Sequence, residues 1–322
     1  MASTTLPVEG RVSDNDDGII SNDDDDITVS RKRMKAATEE LLCPISHELL
    51  FDPVLAEDGE LYERNEIQKL ITREGDNLRS PMTNVPMGKT LLPVLRVRNT
   101  IQHFVESKAI TGDLAKTYKQ RQKEHKLVSD TKKKAEGGDI GAMESLVEWY
   151  REGTNGLLED EALSGEWQIR AWKKEAEDGD AHAMVAIGEA YDDGTHGLAV
   201  SIEEAFKWYK KAADLRNITG MAYAGYHLLM GNGVKKNSTH GMALVAAAAE
   251  MGPGSRHACH TLAECYDEGT NGLPKDREQA KFWYKKASDD SCRFDDLRDC
   301  FVEIAKKRAE ELEAEELEEP AT

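Results

Sequence analysis

Residues 41–64 read LLCPISHELLFDPVLAEDGELYER. Short apolar pairs at Val54-Leu55 and Leu61-Tyr62 have the look of brief extended pieces. From Asn65 the period lengthens, and Ile67, Leu70 and Ile71 share one helical face, with Asn65 as the expected N-cap and Gln68 three residues on. A polar loop, REGDNLRSPMTNVPMGKT (73–90), follows, and then LLPVLRVRNTIQHFV leads into a second helix. Such loops need a brace. Metal is one solution, but 41–106 offers only Cys43, His47 and His103, too few for even one tetrahedral structural site. A metal is therefore not expected to hold the shape, and any polar groups buried in such loops must be paired or they cost stability.

The chain has 322 residues, room for about two domains. Its net charge of −19 argues against a surface built to hold nucleic acid phosphates. No run approaches the roughly 20 apolar residues of a membrane span, and the start, MASTTLPVEGRVSDNDD, lacks an apolar signal core. The five cysteines form no CxxC and are read as reduced thiols. The expected location is cytoplasmic or, from the RKRMK run at 31–35, nuclear. Residues 1–40 read as a disordered acidic tail. Residues 107–134 read as a solvated helical linker, with a coiled-coil seam through Ile110, Leu114 and Tyr118 as the alternative.

From 135 onward the chain repeats. AEGGDIGAMESLVEWYREGTNGL (135–157), AEDGDAHAMVAIGEAYDDGTHGL (176–198) and RHACHTLAECYDEGTNGLPKD (256–276) share a frame, and 213–234 is a degenerate copy. Ala142, Ala183, Gly220 and Ala258 are equivalent, about 40 residues apart, which predicts a solenoid of helix pairs. Ala142, Leu146 and Tyr150 fall on one face, as do Ala183, Ile187 and Tyr191, and Ala258, Leu262 and Tyr266. Gly153, Gly194, Gly231 and Gly269 are placed as left-handed helix stops. Second helices carry Trp208-Tyr209 and Trp283-Tyr284, with Trp172 alone in the first copy and Leu244-Val245 in the third. Four copies are expected over 135–290. A capping helix with Leu297, Phe301 and Ile304 on one stripe, followed by an acidic tail, is expected over 291–322. The repeats resemble the Sel1-like family, relatives of the tetratricopeptide repeat, and that resemblance implies a superhelix with a protein-binding concave face.

The earlier segment resembles the U-box, the zinc-free relative of the RING domain. The likeness rests on Cys43-Pro44-Ile45, Glu48, Asp52-Pro53-Val54, Gly59, Tyr62-Glu63-Arg64 and Ile67. It continues through Pro81-Met82-Thr83, Leu92-Pro93, and Arg98 followed by Ile101, covering essentially all of 42–106. The fold class expected is thus an α+β U-box at 41–106 followed by an all-α solenoid.

The family resemblance implies a ubiquitin-protein ligase. Its partners would be a ubiquitin-conjugating enzyme, ubiquitin and an unidentified protein substrate or adaptor on the repeats, with no metal, cofactor, nucleic acid or membrane. Ile45, Pro81, Leu70 and Arg98 would form the conjugating-enzyme site. Ser46, Glu48, Asp52, Glu63, Arg64 and Thr83, with Ser80, would supply the polar network that replaces zinc. No residue is expected to be catalytic in the covalent sense. Cys43 is read as a core thiol, since no basic partner sits near it in sequence. Asn84 occupies the place of a cation that often bridges ubiquitin and the conjugating enzyme. It can donate there, but without charge assistance. The family often has Trp where Leu70 stands and Asn where Val94 stands. These three departures favour the alternative, a non-catalytic scaffold.

Overall fold

A computed structural model describes residues 35–251, 255–289 and 299–318. They form two compact units that divide between Gln122 and Lys123. No helix among the described residues is long and apolar enough to cross a membrane.

The first unit is built on a small antiparallel sheet. Its strands β1 (Pro53–Leu55), β2 (Leu61–Glu63) and β3 (Leu92–Pro93) lie in the order β2-β1-β3, with Val54 opposite both Tyr62 and Pro93. Helix α1 (Arg64–Glu74) follows β2 directly, and α2 (Leu95–Glu106) follows β3. Val54, Tyr62, Ile67 and Ile101 are fully buried between sheet and helices. Leu70 and Ile71 pack on this core from α1, as the periodicity predicts.

Two expectations need correction here. Helix α1 starts at Arg64, with Glu63 rather than Asn65 at the N-cap, and Glu63 makes no side-chain capping bond. Its carboxylate is turned inward instead, onto the amides of Phe51 and Asp52. The segment 107–134 is not a purely solvated linker either. Helix α3 (Gly112–Glu136) and the turn before it bury Ile110, Ala115 and Tyr118 in the core of the first unit. The apolar positions assigned to a coiled-coil seam are thus consumed within the chain.

In the second unit, four helix pairs follow one another: α4 (Ile140–Glu152) with α5 (Glu161–Glu177), α6 (Ala181–Asp193) with α7 (Ile202–Asp214), α8 (Ile218–Met230) with α9 (Ser238–Glu250), and α10 (Arg256–Glu268) with α11 (Arg277–Ser288). Every one of the eight starts with a side-chain cap. Asp139, Asp160, Asp180, Ser201, Asn217, Asn237, Ser255 and Asp276 each accept an amide of the first turn. The first helix of each pair stops at Gly153, Gly194, Gly231 or Gly269, all left-handed as predicted.

Small residues let the helices of a pair approach. A Cβ on Gly188 would lie 2.6 Å from the Tyr209 ring, so glycine leaves the space that this ring fills. Tyr209 is fully buried and stacks on Tyr223, centroids 4.7 Å apart. Tyr150 is buried too, but Tyr191 and Tyr266 are only half-buried, so the aromatic of the first helix does not always fill the core. Val245 takes the buried place in the third pair.

The terminal helix α12 (Asp299–Glu318) packs through Ala305, Ala309 and Leu312. Arg308 on its flank makes a bidentate pair with Asp267 at 2.8 and 3.2 Å. Ile304 is exposed, contrary to the expected stripe. Leu297 and the Phe301 side chain lie outside the described residues. Alanines face inward because a neighbouring helix backbone must come close at the end of the stack.

Tyr209→Ala removes the central ring of this array and should destabilise the second unit by about 3–5 kcal/mol, whereas Tyr191→Ala should cost clearly less. Tryptophan fluorescence in a denaturant titration checks both, because all five tryptophans lie within the second unit. Equal effects would show that burial does not rank these rings.

Candidate functional site

Two loops of the first unit share one backbone design. In the first, the Cys43 amide donates to the Glu48 carbonyl at 2.8 Å, and the His47 amide donates to the Cys43 carbonyl at 2.8 Å. In the second, the Ser80 amide donates to Val85 at 2.9 Å, and the Asn84 amide to Ser80 at 2.9 Å. Each is closed by a single bridge, Leu42 to Leu49 and Arg79 to Pro86. His47 and Asn84 hold matching left-handed conformations, φ 57° and 58°. Asparagine tolerates that region better than most side chains, so Asn84 has a backbone reason to be where it is.

Polar contacts anchor both loops to the sheet. Glu63, only 5% exposed, accepts the amides of Phe51 (2.7 Å) and Asp52 (3.2 Å). Its own amide donates to the buried Cys43 sulfur at 3.3 Å. Burial pushes the Glu63 carboxyl up from its ordinary value, while the two amides and the Arg121 guanidinium pull the other way. Arg64 pairs with Asp52 at 2.6 Å. Arg121 of α3 pairs with Glu48 and lies 3.9 Å from Glu63.

Around the second loop, the buried Ser80 hydroxyl accepts the amides of Met82 (3.1 Å) and Thr83 (3.0 Å). Asp58 accepts the Tyr62 hydroxyl at 2.8 Å and interacts with Ser80. Burial raises the Asp58 carboxyl, but these hydroxyls more than offset it and hold the group below its ordinary value. Glu57 accepts the amides of Gly88 (3.1 Å) and Thr90 (3.0 Å).

Of the residues that the resemblance puts in this network, Glu48, Asp52, Glu63 and Arg64 make the contacts just described. Thr83 contributes its amide, and the buried Ser46 hydroxyl has no hydrogen-bond partner among the described residues. Arg121, Glu57 and Asp58 were missed. They lie outside the quoted motif positions, although the tight Ala56–Gly59 turn between two short strands places Glu57 and Asp58 at the sheet end. No cluster of three or more His, Cys, Asp or Glu suited to a metal occurs among the described residues.

Between the two loops and α1 lies an open groove of about 740 Å³. It brings together Ile45, Leu70, Pro81 and Asn84, and it adds Arg79 at the base of the second loop. Ile45 and Leu70 are half-buried, each with one side on the core, while Pro81 is exposed. Arg79 donates to the Asn84 carbonyl at 2.9 Å. Arg98 is not part of the groove lining. Its guanidinium lies over the Phe51 ring, 4.9 Å from the centroid. Val94 is the N-cap residue of α2 and gives it no side-chain bond, the service an asparagine there would perform.

Family comparison agrees with this anatomy. The U-box domain model matches residues 37–110, and the Sel1 repeat model matches 181–217, 218–253 and 256–292. The chain thus carries a U-box followed by Sel1 repeats. The α4–α5 pair, the first copy by sequence, lies outside those three matches.

Among curated relatives, a WD repeat, SAM and U-box domain-containing protein 1 of Danio rerio is 50% identical over 54 residues, 17% of this chain and 11% of the relative. U-box domain-containing protein 37 of Arabidopsis thaliana is 38% identical over 74 residues, 23% of this chain and 18% of the relative. A probable bifunctional E2/E3 enzyme of Acanthamoeba polyphaga mimivirus is 34% identical over 79 residues, 24% of this chain and 6% of the relative. The likeness to these relatives therefore spans less than a fifth of their length. A solved Sel1 repeat protein from Oxalobacter formigenes is 27% identical, covers 55% of this chain and 70% of its own, and has a TM-score of 0.39.

Asp58 supplies an acid-sensitive tie. Its folded pKa is depressed, so its contribution is present above the ordinary carboxylate value, near 4, and is lost as pH falls through the folded value. Asp58→Asn should destabilise the first unit by about 1 kcal/mol at pH 7. The difference from wild type should shrink on acidification below about pH 4. Denaturant titrations followed by the Met82 and Thr83 amide signals check this. A difference unchanged at acid pH would contradict it.

Proposed function

We propose that the chain is a ubiquitin ligase whose U-box groove receives a ubiquitin-charged conjugating enzyme, while the repeats bind a substrate or adaptor. One observation carries the reading: three apolar residues from three separate segments, Ile45, Leu70 and Pro81, converge on a single groove with polar donors at its edge. The U-box match supports it.

The chemistry would be transfer of the ubiquitin acyl group from the enzyme's thioester to a lysine amine, with no covalent ligase intermediate. The lining fits that limit. Cys43 is fully buried, its sulfur accepts an amide, and it is not part of the groove. The acids along the groove, Glu66 and Glu74, pair with Lys69 and Arg73 on the helix surface. What the groove can do is hold: it restrains a flexible conjugate so that the amine meets the thioester in a reactive geometry.

The sequence assigned the bridging donor to Asn84 and found no charge there. The geometry favours Arg79 for that role. Its guanidinium sits at the groove edge beside Asn84 and offers charge-assisted donors in a rigid fork. Asn84 then serves chiefly to make the left-handed turn that carries Pro81.

Ile45→Ala and Pro81→Ala should each weaken conjugating-enzyme binding by about 2 kcal/mol or more with the fold retained. Arg79→Ala should slow lysine discharge at least about tenfold at saturating conjugating enzyme, the loss expected of a preorganised donor. Asn84→Arg should bring no gain, because arginine suits the left-handed turn poorly. Binding titrations and single-turnover discharge separate these effects. Wild-type binding in the first pair would remove the groove from the account, and a faster Asn84→Arg with an unaffected Arg79→Ala would return the donor to Asn84.

A further inference from the structure

The two loops share a backbone but are locked differently. In the second, Ser80 ties its own loop from within, through the amides of Met82 and Thr83. The equivalent residue of the first loop is Cys43, whose sulfur is occupied by the Glu63 amide, and the Ser46 hydroxyl beside it makes no hydrogen bond among the described residues. The first loop, which carries Ile45, thus lacks the internal tie of its counterpart.

The missing tie comes from α3. The U-box family match ends at residue 110, yet the chain beyond it returns to the core. Tyr118 is buried edge-on to Phe51, centroids 5.5 Å apart, and this fixes the helix against the segment that follows the first loop. Arg121 then projects one guanidinium to two carboxylates. One arm pairs with Glu48, whose carbonyl closes the loop onto Cys43. The other faces Glu63 at 3.9 Å, the acid that holds Phe51 and Asp52. Lysine, a single point charge, cannot reproduce both arms with the same geometry.

We infer that Arg121 is a positioning residue for the reaction: from outside the family-matched segment it fixes the first loop, and with it Ile45, in the shape the bound partner requires. The inference rests on reading the groove as the conjugating-enzyme site. It also extends the working module to at least residue 121.

The test uses the full chain with Glu48→Gln, Arg121→Met and Arg121→Lys, and Lys116→Ala as an exposed control on the same helix. The probes are the Ile45 methyl signal in NMR spectra, the melting curve, and titration with a purified ubiquitin-conjugating enzyme. Glu48→Gln leaves the Glu63 contact in place, so it keeps the test decisive if Arg121→Met folds poorly. Glu48→Gln and Arg121→Met should shift the Ile45 signal and raise the Kd roughly twofold to fivefold, the upper part of the range for a partly exposed ion pair. Arg121→Lys should recover part of the loss, and Lys116→Ala should match wild type. An unshifted Ile45 signal and a wild-type Kd in folded Glu48→Gln would reduce Arg121 to a stability role and overturn the inference. If the wild-type chain binds no member of a conjugating-enzyme panel, the ligase reading fails. The Ile45 signal still decides whether Arg121 positions the loop.

Discussion

The buried carboxylate of Glu63 is the constraint on which the first unit depends. It sits where β2 becomes α1, and it faces inward rather than capping the helix it precedes. From there it gathers the amides of Phe51 and Asp52, while its own amide reaches the Cys43 sulfur. Three separate stretches of chain meet at this one residue. A charge taken out of water is costly unless it is hydrogen-bonded and paired. The two amides and the nearby Arg121 provide that compensation, and removing any of them leaves part of the desolvation penalty uncompensated. This is a polar answer to the problem that a metal solves elsewhere: holding irregular loops in shape beside a small apolar core.

The second anchor, built from Ser80, Tyr62 and Asp58, does the same for the second loop with neutral hydroxyls and one carboxylate. The two loops share their backbone hydrogen bonds and their left-handed corner, yet they differ in what locks them. That difference gives the groove its two unequal walls. One wall is tied internally and carries Pro81. The other is tied from α3 and carries Ile45. Under the proposed function these locks matter, because a groove that works by positioning loses its effect if its apolar contacts can drift.

Much of this was legible in the amino-acid order. The short strands, the Ile67 face of α1, the repeat frame and the four glycine stops follow from period and residue type alone. The acids Glu48, Asp52 and Glu63 as network members came from the family resemblance. What escaped the sequence was set by distance along the chain. Arg121 is 73 residues from Glu48, in a stretch whose Lys and Gln composition reads as solvated helix. Its role needs Tyr118 to bring the helix home, and a single buried aromatic in a 25-residue helix is too sparse a signal to identify. Arg98 was assigned to the conjugating-enzyme site through the family resemblance, but its guanidinium lies over Phe51. Ile304 was put on the inward stripe by spacing, whereas the packed face begins one residue onward, with Ala305 and Ala309. Tyr191 shows the same limit, since a shared repeat position does not guarantee shared burial.

The repeats add a stack of helix pairs whose recurring features are caps, glycine stops and rings packed over small residues, none of them chemical groups poised for reaction. Under the proposed function, the division of labour is a positioning module in the first unit and a binding array in the second. Single-turnover discharge of a ubiquitin-charged conjugating enzyme onto free lysine, comparing full-length wild type with Glu63→Ala and Tyr209→Ala, tests it most directly. The account predicts that wild type accelerates discharge, that Glu63→Ala abolishes the acceleration while the repeats stay folded, and that Tyr209→Ala keeps it while the repeats loosen. Acceleration that survives Glu63→Ala, or is lost only in Tyr209→Ala, would contradict it.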